Sequence, residues 1–191
     1  MAHVTIIGTG NMGQAIAAVA DRGGHTVQFL GHTDVATQVD GEIVVLAVPY
    51  PAVADVIAQR GDSLAGKVVV DITNPLNFET FDSLVVAADS SATAELATAL
   101  PSSKVLKAFT TTFAATLASG KVGDLTTTVL IAGDDADSKA LLGGLVTAAG
   151  LNAIDAGALK RARELEALGF LQISLAAAEK VSWVGGFGVI A

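Results

Sequence analysis

The hexapeptide Gly8-Thr9-Gly10-Asn11-Met12-Gly13 has the spacing G-x-G-x-x-G, and the chemistry that spacing serves is the cradling of a pyrophosphate. The first glycine permits a tight turn, the second lets phosphates approach the backbone, and the third lets a helix pack closely on a strand. Backbone N–H groups and the positive end of that helix then face the phosphate oxygens. The spacing is weak alone and gains meaning between a strand and a helix. A dinucleotide held there places its adenosine ribose at the end of the next strand, where Asp or Glu usually accepts from the 2′-hydroxyl. This sequence has Gly31-His32-Thr33 instead. Without a carboxylate at that place, His32 and Thr33 are available to donate to a 2′-phosphate, which favours NADP(H). The other reading of His32 is a solvated loop residue, since no Arg stands beside it.

Ala47-Val48-Pro49-Tyr50 and Asp71-Ile72-Thr73-Asn74-Pro75 end two strand-like runs, on the carboxyl edge where doubly wound sheets bind ligands. Pro49 fixes the backbone beside a nicotinamide ribose, or simply ends its strand. Asn74 offers its amide to a ligand, or makes the turn before Pro75. Lys160, Arg161 and Arg163 cluster where the last helix begins, against its dipole. They fit an anion site, or local pairing with Glu164 and Glu166. Cysteine is absent, so thiol nucleophiles, thiolate metal sites and disulfides are excluded. His3, His25 and His32 lack metal-ligand spacing, and no metal is expected. No Ser-His-Asp arrangement and no Schiff-base lysine stands out. Hydride transfer between two cofactors needs neither; it needs orientation and exclusion of water, so no catalytic side chain is assigned.

The elements that must position these residues alternate along the chain. Apolar, β-branched runs predict strands over 4–7, 26–30, 43–48, 67–72, 105–109, 127–132 and 151–156. Periodic segments predict helices over 11–22, 53–59, 92–100, 135–149 with Asp134 as N-cap, and 162–183. Residues 31–41 leave room for about one or two helical turns and not a full crossover helix. Residues 74–90 read as irregular. This alternation implies an α/β fold, a Rossmann-type doubly wound, mostly parallel sheet with an appended C-terminal helix. No repeat or linker divides the 191 residues, so a single NAD(P)-binding domain over 1–191 is expected, with 157–191 as a C-terminal helical extension.

With 51% apolar and 16% charged residues, the chain can bury a core, and wholesale disorder is excluded. Aromatic residues are 5%, so that core must be built from Ala, Val, Ile and Leu. Eleven basic residues against 19 acidic ones give a net charge of −8, which argues against nucleic acid or an anionic membrane as partner. No basic leader and no uncharged apolar run of about 18 residues is present, so a cytoplasmic protein without a membrane span is expected.

Taken together, the Gly8 to Gly13 fingerprint, Asp71-Ile72-Thr73-Asn74-Pro75, Val105-Leu106-Lys107-Ala108-Phe109, Ile131-Ala132-Gly133-Asp134-Asp135, Asp155-Ala156-Gly157, and Arg163 with Glu166 resemble the NADPH-dependent reductases of the deazaflavin coenzyme F(420) and the related reductase domains of membrane ferric reductases. The resemblance covers nearly the whole chain. It departs in the short linker after the second strand, in Thr110 where the K-A-F-N-T pattern has Asn, and in Ala167 where proline is common. The resemblance implies that Thr9, Gly10, Asn11 and Met12 wrap the pyrophosphate, His32 and Thr33 the 2′-phosphate, and Val48, Pro49 and Tyr50 the nicotinamide side. A deazaflavin would stack near Thr73 and Asn74, with Thr110, Trp183, Gly185, Gly186 and Phe187 as second-substrate candidates. It also implies a homodimer through the C-terminal helix. The leading expectation is therefore hydride transfer between NADP(H) and F(420) or a flavin (FMN or FAD). The alternatives are an NADPH-dependent flavin or ferric reductase and, in another class, a non-enzymatic NADP-sensing module. Dehydrogenases with a large all-helical second domain are disfavoured, because about one long helix follows Ala156.

Overall fold

The computed structural model describes residues 1–190. Strand β1 (His3–Ile7) leads through the glycine turn into α1 (Asn11–Arg22), β2 (Thr26–Leu30) and β3 (Ile43–Leu46). A 3₁₀ turn over Tyr50–Ala52 precedes α2 (Val53–Arg60), and β4 (Val68–Asp71), α3 (Ala92–Ala99) and β5 (Lys104–Lys107) follow. Then come α4 (Ala114–Ser119), the hairpin of β6 (Lys121–Val122) and β7 (Leu125–Thr126), β8 (Thr128–Gly133), α5 (Ala136–Ala148), β9 (Asn152–Gly157) and α6 (Ala162–Ala177). Seven strands form one sheet in the order β2-β1-β3-β4-β5-β8-β9. All neighbours are parallel except β5 and β8. The expected doubly wound, mostly parallel sheet with a C-terminal helix is what the chain forms.

Helices cover both faces, and the central strands show it residue by residue. Ile43, Val45 and Val70 point into one cluster with Ile16, Val19, Leu142 and Val146 of α1 and α5. Their neighbours Val44, Leu46 and Val69 point into a second cluster with Leu96 and Leu100 of α3 and its end. A strand buried on both faces has no polar side to spare, which is why β3 and β4 read as unbroken apolar runs.

The strand order reverses at β1, and the crossover from β2 to β3 that brings this about is short. Where one or two helical turns were expected over 31–41, the structure has turns without a helix. The reason is a competing donor: the buried Arg60 guanidinium donates to the Thr37 carbonyl at 2.8 Å and to the Asp34 carbonyl. Those oxygens are satisfied from α2 and need no helical amides.

Other boundaries shift for equally local reasons. Asp135, not Asp134, caps α5, accepting from the Ser138 N–H and hydroxyl at 2.8 and 2.6 Å; Asp134 instead accepts from the Leu159 N–H. Strand β5 ends at Lys107 because Phe109 takes a positive φ of 62°. Helix α6 ends at Ala177 and not at 183: Glu179 adopts φ 58° and the Lys180 N–H bonds back to Leu175 at 2.8 Å. Helix α4 and the β6–β7 hairpin were not anticipated. Among the described residues no helix is long and apolar enough to cross a membrane.

Candidate functional site

The phosphate turn is built as its glycines require. Gly8 has φ 117°, and a Cβ there would collide with the Ala47 carbonyl; a Cβ on Gly13 would collide with the Gly8 carbonyl. A Cβ on Gly10 would meet nothing within 4 Å, so this face is open to a ligand. The turn is fastened by the Gly8 N–H, which donates to the Leu30 carbonyl at 2.9 Å. Gly10 is the N-cap of α1 and supplies no side-chain cap, and the first turn holds no acidic residue. The first amides and the positive helix end are thus left for an anion.

At the end of β2, His32 and Thr33 are exposed on a tight turn. A carboxylate, expected to be missing here, is present. Asp34 folds back so that its Oδ2 accepts from the Gly31 N–H at 2.7 Å, a position that residue spacing alone does not show.

At the end of β3, Pro49 (φ −58°, ψ 145°) starts the 3₁₀ turn. The Tyr50 hydroxyl donates to Glu95 Oε2 of α3 at 2.6 Å. Burial, then that bond and the negative charges of Glu95, Glu166 and Asp71, push the Tyr50 hydroxyl up to about 12 from 10.0. Tyr50 is therefore a neutral donor whose proton is engaged by α3.

The ends of β4 and β5 hold a buried charged cluster. Lys107, Asp71 and Glu166 of α6 have no more than 1% of their surface exposed. Lys107 Nζ lies 3.0 Å from Asp71 Oδ2 and 3.1 Å from Glu166 Oε1, and donates to the Thr73 carbonyl. Its three N–H donors thus meet three acceptors. Each of the four carboxylate oxygens accepts at least one bond. Asp71 Oδ1 accepts from the Thr73 N–H at 2.8 Å and Oδ2 from the Thr93 hydroxyl at 2.7 Å; Glu166 accepts from the Ala92 and Thr93 N–H groups at 3.0 and 3.2 Å. Burying charges is tolerated only with such complete pairing. Lys107 belongs to a motif of the resemblance but carries no assigned role in the sequence; the signal for this cluster is a charged residue inside each of two apolar strand runs.

This cluster grips Thr73 by both its N–H and its carbonyl, and so sets the segment carrying Thr73 and Asn74. Asn74 Nδ2 donates to the Thr110 carbonyl at 3.3 Å, while Thr73 Oγ1 and Asn74 Oδ1 are buried without a partner among the described residues. Helix α6 sits directly on Asn74 and Thr110 because residue 169 is glycine: a Cβ there would lie 2.7 Å from the Thr110 carbonyl.

Beside this edge opens a cavity of about 600 Å³. Asn11 and Met12 of the phosphate turn line one side, Asn74, Phe109 and Thr110 its floor, and Phe78, Phe81, Phe113 and Trp183 its outer wall. Trp183 packs on Phe113 with ring centroids 5.0 Å apart. Among the described residues no charged side chain lines the cavity. The left-handed backbone of Phe109 lies in its floor, a strain of the kind stored at functional sites.

Of the second-substrate candidates, Thr110 and Trp183 therefore reach the cavity. Gly185, Gly186 and Phe187 do not line it. The buried Gln172 amide holds Gly186 and Phe187 against α6 instead, with the Phe187 N–H donating to Gln172 Oε1 at 3.0 Å, while Gly185 stands beside Ser182. In the basic cluster, Arg161 lies 3.5 Å from Glu164, both side chains about half exposed. Glu166, the other expected partner, is turned into the core with Lys107. A second cavity, of about 660 Å³, lies among the crossover, the end of α2 and the α3–β5 turn, and includes none of the phosphate-turn residues.

Comparison with known proteins bears out the resemblance. Residues 18–75 match the family described as NADP oxidoreductase, coenzyme F(420)-dependent. The F(420)-dependent NADP reductase of Methanocaldococcus jannaschii is 31% identical over 140 residues, covering 71% of this chain and 62% of the relative. Metalloreductase STEAP3 of Rattus norvegicus is 36% identical over 112 residues, 59% of this chain and 22% of that protein. The chain thus spans less than two thirds of the length of either relative. A solved structure from Arthrobacter sp. FB24, named as a candidate F(420)-dependent NADP reductase, has the same fold over 100% of both chains, with a TM-score of 0.87 and 23% identity. The imine reductase of Streptomyces aurantiacus shares the fold at a TM-score of 0.62 and 18% identity, over 91% of this chain and 61% of that one.

Proposed function

We propose that this chain is a member of the F(420)-dependent NADP oxidoreductases and transfers hydride between NADP(H) and the deazaflavin. The observation that carries this reading is the uncharged, aromatic-walled cavity that opens directly beside Asn11, Met12 and Asn74. Its aromatic lining suits a flat ring stacked on nicotinamide. It does not suit a polyanionic ferric chelate, which would enter without a single cation to meet it.

The residues present fit a dinucleotide. Gly10 leaves the backbone open, the first amides of α1 lack a side-chain cap, and the edge runs on through Val48, Pro49 and Thr73. When bound, NADPH would supply a hydride from nicotinamide C4, which a deazaflavin accepts at C5. The chain's own work is positional: the turn holds the phosphates, Lys107 and Asp71 fix the Thr73–Asn74 segment, and Phe78, Phe113 and Trp183 shield the contact from water.

The assay is incubation with NADPH and F(420), following loss of the oxidised deazaflavin absorbance, with FMN and a ferric chelate in parallel. Turnover of F(420) alone is the expected result. NADPH binding without turnover of any acceptor would favour a sensing module, and preferential turnover of FMN or ferric chelate would replace the acceptor assigned here. On the same reading the chain is a homodimer through α6, whose outer face leaves Leu171 and, beyond it, Val184 exposed. Sedimentation should give a dimer, and Leu171→Glu a monomer.

A further inference from the structure

We propose that Asp34 sets nucleotide selectivity, its carboxylate accepting from the ribose 2′-hydroxyl of NAD(H) and opposing the 2′-phosphate of NADP(H), so that this chain binds both. The inference rests on the reading that the glycine turn holds a nicotinamide dinucleotide. By count, Asp34 lies four residues past Leu30, beyond the place of the usual acidic residue at the end of β2. The turn cancels that distance. The Gly31 N–H donates to Asp34 Oδ2 at 2.7 Å, the Asp34 N–H donates to the Gly31 carbonyl at 3.3 Å, and a Cβ on Gly31 would stand 3.4 Å from Oδ2. Gly31 immediately follows Leu30, whose carbonyl accepts from Gly8 of the phosphate turn. The carboxylate therefore hangs at the strand end, in the place a ribose-binding acid occupies.

It is held there and left unneutralised. Arg60 and the Thr37 N–H both bond the Asp34 carbonyl, the latter at 2.9 Å. Arg60 addresses the backbone and not the carboxylate, and among the described residues Asp34 makes no ion pair and its Oδ1 no hydrogen bond. The stretch 31–41 contains no Lys or Arg, only His32 as a base and Asp40 as a second acid. A carboxylate with spare lone pairs accepts well from a hydroxyl. A phosphate group brings acceptors and like charge, which His32 and Thr33 must outweigh.

The test titrates the whole chain with NADPH and with NADH, following the fluorescence of its single tryptophan, Trp183, and heat by calorimetry. Wild type should bind NADH within about tenfold of NADPH, and Asp34→Asn, which keeps an acceptor for the Gly31 N–H, should raise the preference for NADPH by about tenfold. Asp34→Ser, a second uncharged variant with a short acceptor, should do the same. His32→Ala should weaken NADPH more than NADH. An unaltered ratio in folded Asp34 variants that still bind NADPH, or a wild type more than a hundredfold selective for NADPH, would overturn the role of Asp34 alone. Failure of both nucleotides to bind would remove the dinucleotide reading and this inference with it.

Discussion

Lys107 shows how a single residue holds the site together. Among the described residues its ammonium is the sole cation between two buried carboxylates, so Lys107→Met would leave Asp71 and Glu166 as like charges without solvent. A loss of about 3–5 kcal/mol is expected, read as a lower urea midpoint. Glu166→Gln leaves one carboxylate per ammonium and should cost less than half as much; equal losses would show that packing, and not charge, holds the cluster. Tyr50 offers a second check, because it is the only tyrosine in the chain. The phenolate absorbance reports it alone and should rise around pH 12 instead of 10, with Glu95→Gln bringing the midpoint down. The raised value means that the folded state favours the neutral hydroxyl. Its contribution to stability is complete below about pH 10 and is lost as the pH climbs through about 12.

Among the elements, the short crossover is the one that a single side chain outside it fixes. Arg60→Ala removes two charge-assisted bonds to the Asp34 and Thr37 carbonyls. It should destabilise the fold by on the order of 2 kcal/mol and raise hydrogen exchange across residues 31–42 in particular. Nucleotide affinity should fall with it, since His32, Thr33 and Asp34 ride on this segment. The sequence could reveal that the crossover was too short for a helix, because that is a matter of chain length. It could not reveal what replaced the helix, because Arg60 reaches the segment from α2. The same division runs through the other elements. The strands from Ile43 and Val68 were legible since both their faces are buried, and the glycine turn since its spacing is its mechanism. Helix α4 and the 121–126 hairpin are too short to show a period. Asp34 was overlooked and Glu166 was misplaced because their partners come through a turn and across the core. Residues 178–183 read as helix on apolar spacing, yet Glu179 leaves the right-handed region and brings Trp183 back over Phe113.

On the scale of the molecule, that reversal supplies a wall for the cavity beside Asn74. Helix α6 crosses the strand ends at Gly169, and the chain then turns so that Trp183 lines the cavity while Gly186 and Phe187 lie against Gln172 of α6. What holds the tail in place is Gln172, whose buried amide donates to the Thr111 carbonyl at 3.4 Å and accepts from the Phe187 N–H at 3.0 Å. It joins the cavity loop, the helix and the tail at one point. Gln172→Ala should therefore release the wall without touching the nucleotide edge. Trp183 emission should shift to the red, and the KM for the acceptor should rise about tenfold for a loss on the order of 1.4 kcal/mol, while the Kd for NADPH stays within twofold. If acceptor KM and nucleotide Kd rose together, the tail would be supporting the whole sheet edge and not the acceptor side alone. An unmoved KM with shifted emission would show that Trp183 covers the cavity without contributing to binding.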